Sequence, residues 1–194
     1  ERDAVRRLAD RCARLLKQFL LALRQEFPRM SLCGCPTVWA PPELGPWPSN
    51  DECGGVGSEV FRTFMLPELV DLSETFGSVG MHCCADADHQ FPAFRDIPDF
   101  YAFNRVPPPG AGIDGFTAAL ETLGGPDGPV FVLSWLPENG PETLLRRAPA
   151  GTRFIFQQKV SDPDEGRRRL DAMRAAAERH GQTHGCTTDG KATA

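Results

Sequence analysis

The sequence predicts an α/β fold whose strands run parallel and are joined by helical crossovers. Two observations carry this. Helix-like and strand-like segments alternate along the chain, the order expected of βαβ units. The strand-like segments are short and apolar, as parallel strands buried on both faces are.

Residues 3–27 predict the first helix, because Leu8, Cys12, Leu15, Leu16, Phe19 and Leu23 recur at spacings of three and four. Pro28 stops it. SLCGCPTVWA (31–40) predicts a buried strand that runs into the long loop PPELGPWPSNDECGGVG, and loops of that length in a domain are functional or unstructured. Ser58 is a candidate cap for the next helix, whose apolar face is Val60, Phe61, Phe64, Met65, Leu69 and Leu72, with Pro67 as a kink. SVGMHCC (78–84) follows the turn glycine Gly77 as a strand, 89–95 is a short helix, and DFYAFNRV (99–106) is a strand. Thr117 to Leu123 is helical and ends at Gly124–Gly125. PVFVLSW (129–135) is a strand, a short helix lies around Glu142–Arg147, and GTRFIFQQKV (151–160) is the last strand. Asp162-Pro-Asp-Glu starts the last helix with acidic residues on its first turn, and it runs to about His180. Residues 1–180 thus form one unit, and 181–194 are expected to be a disordered tail.

A length of 194 residues fits one domain or a piece of a larger one. Lys+Arg 21 against Asp+Glu 26 leaves a net charge of −5, which argues against a general nucleic-acid or anionic-membrane binder. The basic residues of the first helix read as a solvated face. No apolar run approaches the roughly 18–20 residues of a membrane span, and no stretch has the layout of a secretory signal. Seven cysteines, an odd number with irregular spacing, suggest a reducing, cytoplasmic setting in which the thiols are core, metal-ligand or reactive groups.

The densest polar chemistry is MHCCADADH (81–89), at the carboxyl end of a predicted parallel strand. That end of a parallel sheet is where sites form. His82 and Cys84 are two apart and point to one side, whereas Cys83 points to the other. The pair reads as half of a zinc site, as a Cys–His nucleophilic pair, or as a core histidine beside inert cysteines. Asp51 and Glu52, adjacent on the long loop, suit proton transfer or binding of a substrate cation, or are simply solvated. Trp39 and Trp47 flank them as an apolar wall or as ordinary core. Cys33-Gly-Cys35 is too close for the usual redox or zinc spacings. His180, His184 and Cys186 read as bystanders. No Walker loop or G-x-G-x-x-G supports phosphate or dinucleotide binding.

Taken together, Asp51-Glu52, Ser58-Glu59-Val60-Phe61, Phe64-Met65-Leu66-Pro67, Phe76-Gly77, His82-Cys83-Cys84, Ile97-Pro98 and Phe103-Asn104 resemble the carboxyl-terminal half of the uroporphyrinogen decarboxylase superfamily. Members typically show an acidic loop, an S-P-E-x-F-like helix start, F-x-L-P in that helix and H-x-C-G at the end of the next strand. The resemblance covers roughly residues 30–175 and is most specific over 51–104. It implies the carboxyl-terminal portion of a (β/α)8 TIM barrel with its site at the carboxyl ends of the strands. About five strands are predicted, fewer than a full barrel of about 250 residues needs, so a missing barrel half or a second copy is expected to cover an open edge.

The resemblance implies one of two activities. The first is transfer of a methyl group between a corrinoid, held by a partner protein, and a thiol or similar acceptor, with zinc on His82 and Cys84 activating the acceptor. The second is tetrapyrrole decarboxylation, with Asp51 the better-placed carboxylate. In the first, Asp51 and Glu52 line the substrate cavity as its candidate catalytic residues. A catalytically silent barrel fragment is the third reading. The sequence departs from the methyltransferase pattern at Ala85, where glycine is usual, and at Gln157 and Gln158, where the third zinc cysteine is expected. The third ligand is then sought in Asp51, Glu52 or Cys53.

Overall fold

The computed structural model describes residues 1–35 and 38–180, so the predicted tail, with His184 and Cys186, lies outside the described residues. Helix α1 spans Arg2–Glu26. It ends two residues before Pro28, as the steric demand of proline on its predecessor requires. It rests on the next long helix through charge: Lys17 donates to Asp71 at 2.6 and 2.8 Å, and the Arg24 guanidinium lies 4.8 Å from the centre of the Phe76 ring. The expected apolar stripe forms, but Leu8, Leu15 and Phe19 stay exposed and nothing in the helix is buried.

The predicted second helix is three pieces. Helix α2 (Ser58–Val60) leads into one wide π-helical turn, Phe61–Met65, and then α3 (Leu66–Phe76). Pro67 explains the interruption. It has no N–H to give the carbonyl four residues back, and in the turn before it the ladder widens, Leu66 N–H reaching Phe61 O. Ser58 does not cap this helix; its hydroxyl donates to His89 O at 3.0 Å.

Strand β1 (Val79–Cys83), helix α4 (Phe91–Phe94), strand β2 (Phe100–Arg105), helix α5 (Thr117–Leu123), strand β3 (Val130–Leu133), helix α6 (Gly140–Arg147), strand β4 (Phe154–Phe156) and helix α7 (Pro163–Arg179) follow. The four strands form one sheet in the order β1-β2-β3-β4, every pair parallel. The predicted α/β class with parallel strands and helical crossovers is therefore observed.

Two strand expectations need correction. The described residues of 31–40 form no strand, and among them only Cys33 makes a bridge, to Trp47. The neighbour of β1 is instead the extended segment 46–50. Gly80 and His82 donate to the carbonyls of Pro46 and Pro48 at 3.0 and 2.9 Å, and Asn50 donates to His82 O at 2.9 Å. Two prolines have no N–H to return to β1, so the ladder stays broken, while on the other side of the segment Trp47 N–H donates to Leu32 O at 3.0 Å. The strand expected over 151–160 shortens to Phe154–Phe156.

The two sheet faces differ. Met81, Cys83, Phe103, Phe131 and Leu133 pack under the helices against Phe61, Phe91, Phe94, Leu120 and Leu144. The opposite face carries a small cluster of Trp47, Ala102 and Val132, with no helical residue in it. His82 and Asn104 are paired in register on adjacent strands, and Asn104 in turn pairs with Val132.

Candidate metal centre

His82 lies one residue from the carboxyl end of β1 and is buried. Its Nδ1 is hydrogen-bonded to Asn104 Oδ1. Asn104 Nδ2 donates to the Val132 carbonyl at 2.5 Å. A carbonyl can only accept, so the amide must turn its nitrogen to Val132 and its oxygen to His82. The imidazole must then donate from Nδ1, and a neutral ring carries its lone pair on Nε2. That nitrogen faces the rim, 3.6 Å from Asp51 Oδ1.

Asp51 opens a tight turn, Asp51–Gly55, directly after the edge segment. Its Oδ1 accepts the Cys84 backbone N–H at 2.7 Å, and its Oδ2 accepts the Ser49 hydroxyl at 2.9 Å. Partial burial works against its charge. The Cys84 N–H and thiol, the Ser49 hydroxyl and the nearby His82 outweigh that and hold it below the usual carboxylate range. Cys84 is exposed just past the strand. Desolvation, and then the Asp51 carboxylate beside it, push its thiol up to about 11.

Ligand-capable atoms of Asp51, His82 and Cys84 all lie within 4.8 Å of one another. Nitrogen, oxygen and sulfur donors together suit zinc, and three protein ligands are what a catalytic zinc keeps. The Nδ1 contact to Asn104 is the outer hydrogen bond that orients a metal-binding histidine. These residues therefore fit the metal that the sequence suggests.

The other sequence candidates fall elsewhere. Glu52 is exposed and stands outside this trio. Cys53 points into the helical-side core, its Sγ 3.7 Å from that of Cys83. Contact with Cys83 and burial raise its thiol, so it is core rather than the third ligand. Gln157 accepts the Ser134 hydroxyl at 2.6 Å beyond β4. Trp47 is buried, and Trp39 is exposed.

Comparisons with protein-family models, with curated proteins and with solved structures find no match to this chain.

The roles of two site residues were not read from the sequence. Asn104 sets the histidine tautomer. Its signal was a polar residue in an apolar strand. Arg105 is buried and bonds the Ala85 carbonyl, with Nη1 to Val106 O at 3.3 Å and Nη2 to Asp88 Oδ1 at 3.1 Å. It thereby fixes the turn after Cys84. An open cleft of about 730 Å³ lies over the carboxyl ends of the strands, with His82 and Asn104 in its wall. No helix among the described residues is long and apolar enough to cross a membrane.

Proposed function

We propose that this chain is the carboxyl-terminal barrel portion of a uroporphyrinogen decarboxylase-like protein. In this reading it moves a methyl group between a corrinoid, carried by a partner protein, and a thiol or similar acceptor, with zinc held by His82, Cys84 and Asp51. The observation that carries the reading is the approach of three ligand atoms of different chemistry to within 4.8 Å at one strand rim.

Zinc bound there would supply a Lewis acid that keeps an acceptor thiol deprotonated near neutral pH. The chain's own residues do the rest. Asn104 fixes the ring of His82 with Nε2 outward. Ser49 and the Cys84 N–H hold the Asp51 carboxylate. Cys84, whose thiol is pushed up to about 11 by desolvation and by that carboxylate, would hold zinc only as the thiolate, so binding would release its proton. Asp51 thus supplies the ligand for which Gln157 and Gln158 are unsuited.

A barrel portion is supported by the sequential strand order and by helices packing on one face. Doubly wound sheets reverse their order and carry helices on both faces. Strand β4 pairs only with β3 among the described residues, and its free edge is where further barrel strands or a second copy would add. Tetrapyrrole decarboxylation is the second reading, favoured by a carboxylate, Asp51, held ionised at the rim; turnover of a porphyrinogen would select it.

Elemental analysis after growth with zinc tests the first reading. About one zinc per chain is expected in the parent, with most of it lost in His82→Ala, Cys84→Ser and Asp51→Asn. A zinc-free parent, or variants that keep the metal, would overturn it.

A further inference from the structure

We propose that the cleft over the strand carboxyl ends binds a planar aromatic anion, with Trp135 as the stacking surface and Lys159 as the counter-charge. This goes beyond the metal reading and does not depend on it.

Trp135 follows β3 with a φ of 61°, in the left-handed region. For a bulky residue that conformation is strained. Its side chain is also 84% exposed, and it has no ring contact or hydrogen bond among the described residues. A strained backbone and a large indole in water are two costs that nothing among the described residues offsets. Strain of this kind persists where function uses the displaced side chain.

The surroundings define what the indole meets. Val106 and Leu136 add apolar wall beside Trp135, and His82 lies in the same cleft. The two fully charged side chains in the lining are both cations, Lys159 and Arg169. Arg169 is already engaged by Glu165 at 2.5 Å and by Gln158 at 3.4 Å. Lys159 has no ion pair or hydrogen bond among the described residues. The carboxylate of Asp51, on the far side of His82, does not line the cleft. The free charge of the cleft is therefore positive and the free surface aromatic. A flat π-system with a carboxylate satisfies both, since it stacks on the indole and pairs with the ammonium.

Isothermal titration with 2-naphthoate tests this, against 2-naphthamide, which is neutral, and decahydronaphthalene-2-carboxylate, which is not flat. 2-Naphthoate should bind at least about fivefold more tightly than either, given the size of single stacking and exposed ion-pair contributions. Trp135→Phe should keep most of the affinity, and Lys159→Gln should lose about threefold or more. Trp135→Gly is the decisive variant. Glycine accepts this backbone without strain, so its melting temperature should rise while 2-naphthoate binding falls about tenfold. A merely structural tryptophan would instead lose stability. The affinity should be the same in buffer containing a chelator, which keeps this outcome separate from the fate of the zinc reading. Absence of 2-naphthoate binding, equal binding of the saturated acid, unaltered binding in Trp135→Gly, or binding that vanishes with the chelator would each overturn the proposal.

Discussion

His82 and Asn104 face each other across β1 and β2, and the amide of Asn104 bridges the imidazole to the Val132 carbonyl on β3. Three strands thus cooperate to decide which nitrogen of one histidine reaches the rim. The side chain is aimed by the sheet itself, with the exposed loops contributing only Asp51 and Cys84.

Asn104→Leu removes that bridge while keeping a side chain of similar size. Loss of such an outer hydrogen bond costs metal-binding histidines about 10–100-fold in affinity. We expect zinc affinity, measured by competition with a chromophoric chelator, to fall by that factor. An unchanged affinity would mean that His82 is oriented by packing alone.

Gly80 sets the approach of the proline-containing edge to β1. A Cβ there would lie 2.8 Å from Cδ2 of Trp47. Trp47 is buried, and its ring meets Tyr101 edge-on at 5.7 Å between centroids, so it has little room to retreat. Gly80→Ala should therefore destabilise the protein by about 1–3 kcal/mol, the usual cost of overpacking. Urea denaturation would show it, with a red shift of tryptophan emission as the indole is pushed outward.

The same edge shows what was legible in the sequence. The apolar stretch 31–40 resembled a strand, while the true neighbour of β1 was disguised by Pro46 and Pro48. Composition reports apolar character, not which backbone donors remain. The pairing of His82 with Cys84 was legible because strand alternation is strict, and it also sent Cys83 to the helical-side core, where it is found. Asp51 was visible only as half of an acidic doublet. Its separation from Glu52 arises in a tight turn that no periodicity announces. The apolar stripe of α1 stays largely in solvent, with Leu8, Cys12, Leu15, Leu16 and Phe19 exposed and only Leu23 half-buried, and periodicity alone does not reveal that.

Phe103 is fully buried and its ring neighbours Phe91, Phe94, Phe100 and Phe131 at centroid distances of 5.7, 5.7, 5.8 and 6.2 Å. Phe103→Ala should cost about 3–5 kcal/mol, as deletion of a buried aromatic does. Phe19 on α1 is 56% exposed. Phe19→Ala should stay within about 0.5 kcal/mol. Paired denaturant titrations would check the contrast. A comparable loss at Phe19 would mean that its face is covered, for example by a second copy.

The start of α7 makes a pH prediction. Asp162 caps the helix, its carboxylate accepting Glu165 N–H at 2.8 Å, and Glu165 returns its own carboxylate to the Ser161 N–H at 2.7 Å and hydroxyl at 2.6 Å. Those Ser161 bonds, with Arg169 beside them, lower the Glu165 carboxyl from 4.5 to about 2. A folded-state value below the unfolded one means that the stabilisation is complete above the unfolded value. It is then lost as pH falls through the folded value. The window is therefore roughly pH 4.5 down to 2. Glu165→Gln keeps the hydrogen-bond acceptor and removes the charge, so it should melt below the parent at pH 7. The gap should narrow as the pH is taken below 4.5 and close below about 2, where the parent's own carboxyl is protonated. A gap that stays constant across that range would show that the charge of Glu165 contributes nothing to the helix start.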